Sequence, residues 1–283
     1  MQAFQNLMGL PVEQRPEEPV EIGPLESIRF EDVVFHYRTA PQNAIDGISF
    51  RAGLGETIAF VGPSGSGKST LVKLLVGLYW PTSGTVYIDD VPLNSLRFNR
   101  VRRQIGFVTQ DAQLFSGTIR ENLQLVKLDA TDAEMMAALA AAAATHILQR
   151  SGQGLDTRIG EGGTRVSGGE RQRLSSARAL LRNPKLFIFD EATSALDSIT
   201  EQEISTSIRA ISARNESIAI LIAHRLSTIA YADRIYVLEK GRIVEQGTHA
   251  ELLEKLGLYY AMWRQQIGER PMAQVTGEAV GAG

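Results

Sequence analysis

Residues Gly62-Pro63-Ser64-Gly65-Ser66-Gly67-Lys68-Ser69 constrain this chain more than any other segment. They match the pattern of a phosphate-binding loop, and their setting matches too. An apolar run, Thr57 to Val61, precedes them, and an apolar-faced helix (Leu71, Leu74, Leu75, Leu78) is predicted to follow. Glycines let the backbone turn its N–H groups around phosphate, and the helix start adds the positive end of its dipole. Lys68 is expected to reach the β- and γ-phosphates of a nucleoside triphosphate, and Ser69 to ligate Mg2+, with Thr70 completing the phosphate-facing set. A chance lysine in a Gly/Ser-rich turn would not come with both a strand before it and a helix after it.

A phosphate loop alone says only nucleoside triphosphate; the other polar residues narrow it. In open parallel sheets, ligands sit beyond the carboxyl ends of the strands. Here Gln110 follows the run Ile105 to Thr109, Asp190 and Glu191 follow Leu186 to Phe189, and His224 follows Ile218 to Ala223. The last two runs read as strands buried on both faces of a parallel sheet. One polar residue after a strand is ordinary, but four strand ends, counting the phosphate loop's, mark a site. Asp190 suits a second, water-mediated contact to Mg2+. Glu191, one residue further, is expected to accept a proton from the attacking water or to orient it.

The 283 residues are 43% hydrophobic, enough for a substantial core. A net charge of −3 provides no basic stripe for a phosphate backbone, so nucleic acid is not expected as a partner. The absence of cysteine excludes a disulfide framework. The longest uncharged run, Met135 to Gln149, is shorter than the roughly 18 residues a membrane span needs, and reads as a helix of a soluble subdomain. No signal peptide is visible. Work at a membrane would therefore go through a partner or through a segment outside this chain.

Residues 1–24 are rich in Pro and Glu and read as an extended linker. β-like runs follow at Ser27–Tyr37, Ile45–Arg51, Glu56–Val61 and Gly84–Asp89. Capping-box patterns start helices at Thr118/Glu121, Thr131/Glu134, Ser198/Glu201 and Thr248/Glu251, the last running to about Gln266. Lys240-Gly241 turns a hairpin between Tyr236–Glu239 and Arg242–Glu245.

These residues together resemble the ABC ATPases, over about residues 26–266. Val166-Ser167-Gly168-Gly169-Glu170 resembles the family's signature motif, usually written LSGGQ, with Val166 for Leu and Glu170 for Gln. Gln110 resembles the Q-loop glutamine, Ser194-Ala195-Leu196-Asp197 the D-loop, His224 the switch histidine, and Tyr37 the aromatic that stacks on adenine. Tyr37 reads equally well as a core aromatic of its β-run. Exporter-like segments are Phe115–Leu123, His224–Ile229, Gly247–Glu251 and Gly160-Glu161-Gly162-Gly163, the last resembling the X-loop with Gly162 where Arg is common.

The resemblance implies an α/β fold: a P-loop NTPase core with a mainly parallel sheet, an N-terminal antiparallel β subdomain and an inserted helical subdomain at about 111–181. The domain would span 25–267, with 268–283 as a flexible tail. It implies ATP and Mg2+, with Gln110 joining Ser69 and Asp190 around the metal, and Glu191 and His224 as catalytic residues. Two copies would face head to tail, so that Ser167, Gly168 and Gly169 act on the opposite chain's ATP, with Asp197 nearby. The partners implied are transmembrane domains, at the cytoplasmic face of a membrane. An importer subunit, a soluble ABC ATPase, or a regulatory nucleotide-binding module would carry a similar loop; the exporter-like segments, the acidic balance and the presence of Glu191 and His224 favour the exporter.

Overall fold

The computed structural model describes residues 16–109, 112–149, 152–160, 163, 165–190, 206, 209, 216–223 and 225–268. Gln110, Glu161, Gly162, Glu191, Ser194–Asp197, the helix start at Ser198–Glu201, His224 and the tail from 269 lie outside the described residues.

The chain opens with β1 (Ser27–Phe35), β2 (Ile45–Gly53) and β3 (Thr57–Val61), then α1 (Lys68–Leu75), β4 (Ser83–Ile88) and β5 (Val91–Pro92). Next come α2 (Phe98–Arg103) and β6 (Ile105–Val108). A mostly helical stretch holds β7 (Gly117–Thr118), α3 (Ile119–Gln124), α4 (Asp132–Ala141), α5 (His146–Gln149), β8 (Arg158–Ile159) and α6 (Gly168–Leu181). β9 (Leu186–Asp190), β10 (Ile218–Ile222), β11 (Arg234–Glu239), β12 (Arg242–Gly247), α7 (His249–Glu254) and α8 (Leu258–Gln266) complete the described chain.

The central sheet has the order β12-β11-β3-β10-β9-β6. β11, β3, β10, β9 and β6 pair in parallel, and only β12 is antiparallel. β3 and β10 are buried at every residue, as strands covered on both faces must be. A second, antiparallel sheet, β2-β1-β4-β5, packs its apolar side on the first through Phe30, Phe50, Phe60 and Tyr236. A third cluster of buried side chains, including Met135, Leu139, Ile147 and Leu174, draws only on residues 119–181.

Capping boxes form at Thr118/Glu121, Thr131/Glu134 and Thr248/Glu251 as the spacing predicts. Two expected helices are broken. The Ala-rich run splits between α4 and α5, because Ala143 takes a left-handed φ of 52° and Ala144 N–H turns back to Leu139 O at 2.8 Å. The C-terminal helix splits at Leu256 (φ 53°), and the Glu245 carboxylate of β12 accepts the N–H groups of Leu258 and Tyr259 to start α8. β1 stops at Phe35, so Tyr37 lies beyond the strand. Among the described residues no helix is long and apolar enough to cross a membrane.

Candidate functional site: a phosphate cradle on a parallel sheet

Because β3, β10, β9 and β6 are parallel neighbours, their C-terminal ends share one edge of the sheet. The phosphate loop leaves β3, and Asp190 ends β9 two strands away, about 10 Å at ordinary strand spacing. β10 ends at Ile222 and β6 at Val108, each two residues before the sequence positions of His224 and Gln110. The predicted alignment of strand ends is therefore present in the sheet, while the side chains of Gln110, Glu191, Asp197 and His224 lie outside the described residues.

Close approach builds the loop itself. Gly62 has φ 147°, and a Cβ there would lie 2.0 Å from Leu238 O of β11. Gly67 has φ 107°, and a Cβ would meet Ala44 O at 2.5 Å. Neither position admits a side chain without moving backbone. Gly65 (φ 77°), by contrast, has nothing near its Cβ position, so there only the backbone conformation favours glycine. The turn of the β11–β12 hairpin props the loop from behind: Gly241 N–H donates to Ser66 O at 3.0 Å, and Asp46 N–H donates to Gly241 O at 2.8 Å. That buttress is long-range and invisible in the local sequence.

Lys68 is almost fully buried inside this turn. Its Nζ donates to Gly62 O (2.8 Å) and Pro63 O (3.0 Å) and lies 3.5 Å from Ser66 Oγ. A buried ammonium needs such acceptors, and here they hold the charge in the loop's concavity. α1 begins right there, its N-cap Gly67 makes no side-chain cap, and the positive end of a helix dipole favours an anion. Glycines that tolerate no Cβ, a cation at the centre and a helix start aimed at it form a set that fits a polyphosphate. Ser69 and Asp190 add the hard oxygen donors Mg2+ prefers.

Tyr37 sits beside the same helix. Its hydroxyl is 3.0 Å from Thr70 Oγ1, and its ring meets Phe35 and Tyr79 edge-on at 5.0 and 5.5 Å. It is half-buried against the core, so both readings of this residue keep a physical basis. Tyr79, not singled out by the sequence, stands next to it with Lys73 5.9 Å above its ring.

The signature residues occupy a separate place. Ser167 is the N-cap of α6, which begins at Gly168. A capping box fixes this start. Glu170 N–H donates to Ser167 Oγ (3.2 Å), and Ser167 N–H donates to Glu170 Oε2 (2.7 Å). Glu170 in place of Gln thus has a structural job, and its other oxygen lies 3.5 Å from His146 Nε2. One turn on, Gln172 Nε2 donates to Thr109 O at 3.2 Å, tying the signature helix to the end of β6. Gln172 carries no motif and could be found only from the fold.

The family model described as ABC transporter matches residues 45–194. The chain belongs to the ABC transporter family and carries its ATP-binding, ATP-hydrolysing domain. Its relatives are exporters of the Atm1 kind and others. It is 49% identical to the ABC transporter ATM1 of Toxoplasma gondii over 89% of this chain and 22% of that protein. It is 46% identical to an ATP-dependent lipid A-core flippase of Ralstonia nicotianae, over 85% of this chain and 41% of that protein. The solved structure of a bacterial Atm1-family ABC exporter with ATP bound superposes with a TM-score of 0.86 at 41% identity, covering 94% of this chain and 47% of that one. The chain thus spans less than half the length of these relatives.

Proposed function

We propose that this chain is the ATPase half of an ABC exporter, hydrolysing ATP with Mg2+ and driving transmembrane domains from the cytoplasmic face of a membrane. The observation that carries it is the alignment of the phosphate cradle with the ends of β10, β9 and β6 along one sheet edge. In this reading Lys68 and the loop N–H groups hold the β- and γ-phosphates. Ser69, Asp190 and Gln110 would hold Mg2+, and the ion would supply positive charge that offsets that of the phosphates. Glu191 takes the proton of the attacking water, and His224 steadies the γ-phosphate end. Tyr37 stacks on adenine.

Ser167, Gly168 and Gly169 open a helix on the separate 119–181 core and complete the site of a second chain in a head-to-tail pair, with Asp197 at that junction. Residues 1–24 would be the stretch arriving from the membrane domain, and 268–283 a tail beyond the ATPase domain of 25–267. The relatives' names span ATM1 transporters and a lipid A-core flippase, so the cargo is left unassigned. The test is Glu191→Gln. It should keep ATP binding, lower turnover by about 10²–10⁴, and accumulate a nucleotide-bound dimer. Near wild-type turnover would remove Glu191 from the mechanism.

A further inference from the structure

Gln104 stands where four parts of the molecule meet. It follows α2 and precedes β6. Its side-chain amide is used at both ends: Oε1 accepts Leu25 N–H at 2.8 Å, and Nε2 donates to Gly23 O at 2.9 Å. Its main-chain oxygen accepts the N–H groups of Lys185 and Leu186, at 2.9 and 3.1 Å, where β9 starts. On the same short helix, Arg102 donates to Gly77 O at 2.9 Å, just past the C-terminus of the phosphate-loop helix α1.

The segment that Gln104 grips is a docked strap. Val20 N–H donates to Ser95 O (2.8 Å), and Arg97 N–H donates back to Val20 O (3.1 Å), forming a parallel bridge. The Glu21 carboxylate lies 3.1 Å from Arg97 and 3.2 Å from Arg100. Leu25 is fully buried. The extended stretch expected from composition is therefore fastened to the body over its last residues.

β6 is a stiff spacer, about 16 Å from Gln104 to Thr109. Gly106 lets it pass close to Pro184, between the signature helix and β9: a Cβ there would meet Pro184 Cγ at 2.7 Å, and Ala179 Cβ of the helix lies at contact distance, 3.5 Å. At its far end Thr109 O is held by Gln172 of α6. β9 runs alongside in register, Ile105 with Leu186 and Val108 with Phe189, and ends at Asp190. A shift of the strap at Gly23–Leu25 thus meets, through one side chain, the starts of both strands whose other ends face phosphate and the signature helix.

We propose that Gln104 is a positioning residue that couples docking of the strap, residues 20–25, to nucleotide held at the phosphate loop. This rests on the ATP-site reading above. Coupling between two sites is reciprocal, so nucleotide must then change the strap as much as the strap changes nucleotide.

The experiment is amide hydrogen exchange on the full chain, with and without Mg2+ and a non-hydrolysable ATP analogue, binding being monitored in the same samples by a fluorescent analogue. In the wild type, nucleotide should alter exchange at Val20 and Leu25 by about five-fold or more, the low end of a typical coupling. Gln104→Ala should abolish that dependence while nucleotide still binds. Gln104→Met, which keeps the side chain's length and loses both hydrogen bonds, should do the same should the alanine variant unfold. Nucleotide bound with no change at Val20 and Leu25 in the wild type would overturn the proposal. A response that survives in Gln104→Met would overturn Gln104's part in it. No binding at all would instead sink the ATP-site reading on which it stands.

Discussion

The phosphate loop and the signature segment both present glycines and a helix start, yet they are built in opposite ways. The loop is enclosed: Cβ atoms at Gly62 and Gly67 would strike the backbone oxygens of Leu238 and Ala44, and Lys68 is buried at its centre. The signature segment is open: a Cβ at Gly168 would meet only the far end of the Arg171 side chain, at 3.9 Å, and Ser167 and Gly168 are exposed. One is a cradle closed around a buried cation. The other is an exposed helix start on a separate core, held by a capping box. The difference teaches that the same residue types can serve shape in one place and exposure in another.

The largest effect should come from Lys68→Ala. It removes the cation held by Gly62 O and Pro63 O, and titration with a fluorescent ATP analogue should find affinity reduced by orders of magnitude. Unchanged affinity would break the account of the loop. Next is a paired substitution. Gly62→Ala forces a side chain into a left-handed backbone against Leu238 O and should cost of order 1–3 kcal/mol or more in thermal unfolding. Gly168→Ala should leave stability within about 0.5 kcal/mol and yet impair ATP turnover. Equal melting losses in the two variants would erase the contrast.

Ser167→Ala should cost about 1 kcal/mol of unfolding free energy, the usual worth of an N-cap, read from denaturant midpoints. The smallest effect concerns acid. Lys127 beside Glu134, together with the Thr131 cap, pushes the Glu134 carboxyl down to about 2. Its contribution is complete above the unfolded-state value and is lost as pH falls toward 2. Arg120 likewise holds Asp132 and Asp156 below the usual carboxylate range. No such cluster sits at the phosphate loop among the described residues. Amides of residues 119–149 should therefore lose protection before those of β3 and β10 as pH falls from about 4.5 toward 2, and Lys127→Met should move that loss to higher pH. Simultaneous loss would mean the exposed pairs contribute nothing.

The loop was legible because its pattern and its flanking strand and helix are contiguous, and local geometry decides them. Strand ends were legible for a related reason: fully buried runs such as Ile218–Ile222 reveal parallel strands, and a polar residue then marks the edge. What escaped depended on contacts remote in sequence. Ala143 and Leu256 adopt left-handed backbone inside runs expected to be continuous helix, and after Leu256 the Glu245 carboxylate, remote in sequence, starts the next helix. Gln104, Gln172 and Gly241 act through partners that only the fold supplies. Ser167/Glu170 fits a pattern used elsewhere in the chain, but the glycines between them do not read as a helix start.

The central claim is that one working site takes its phosphate loop from one chain and its signature from another. Mixing Lys68→Ala with Gly169→Asp chains tests it most directly. Each variant alone should be nearly inactive, because each breaks one half of every site. Their heterodimer carries one site broken twice and one intact, so ATPase activity should reappear on mixing and rise faster than linearly with protein concentration while association is limiting. A mixture that stays silent, with heterodimers confirmed by cross-linking, while a wild-type chain paired with the doubly substituted one keeps about half activity, would contradict the claim.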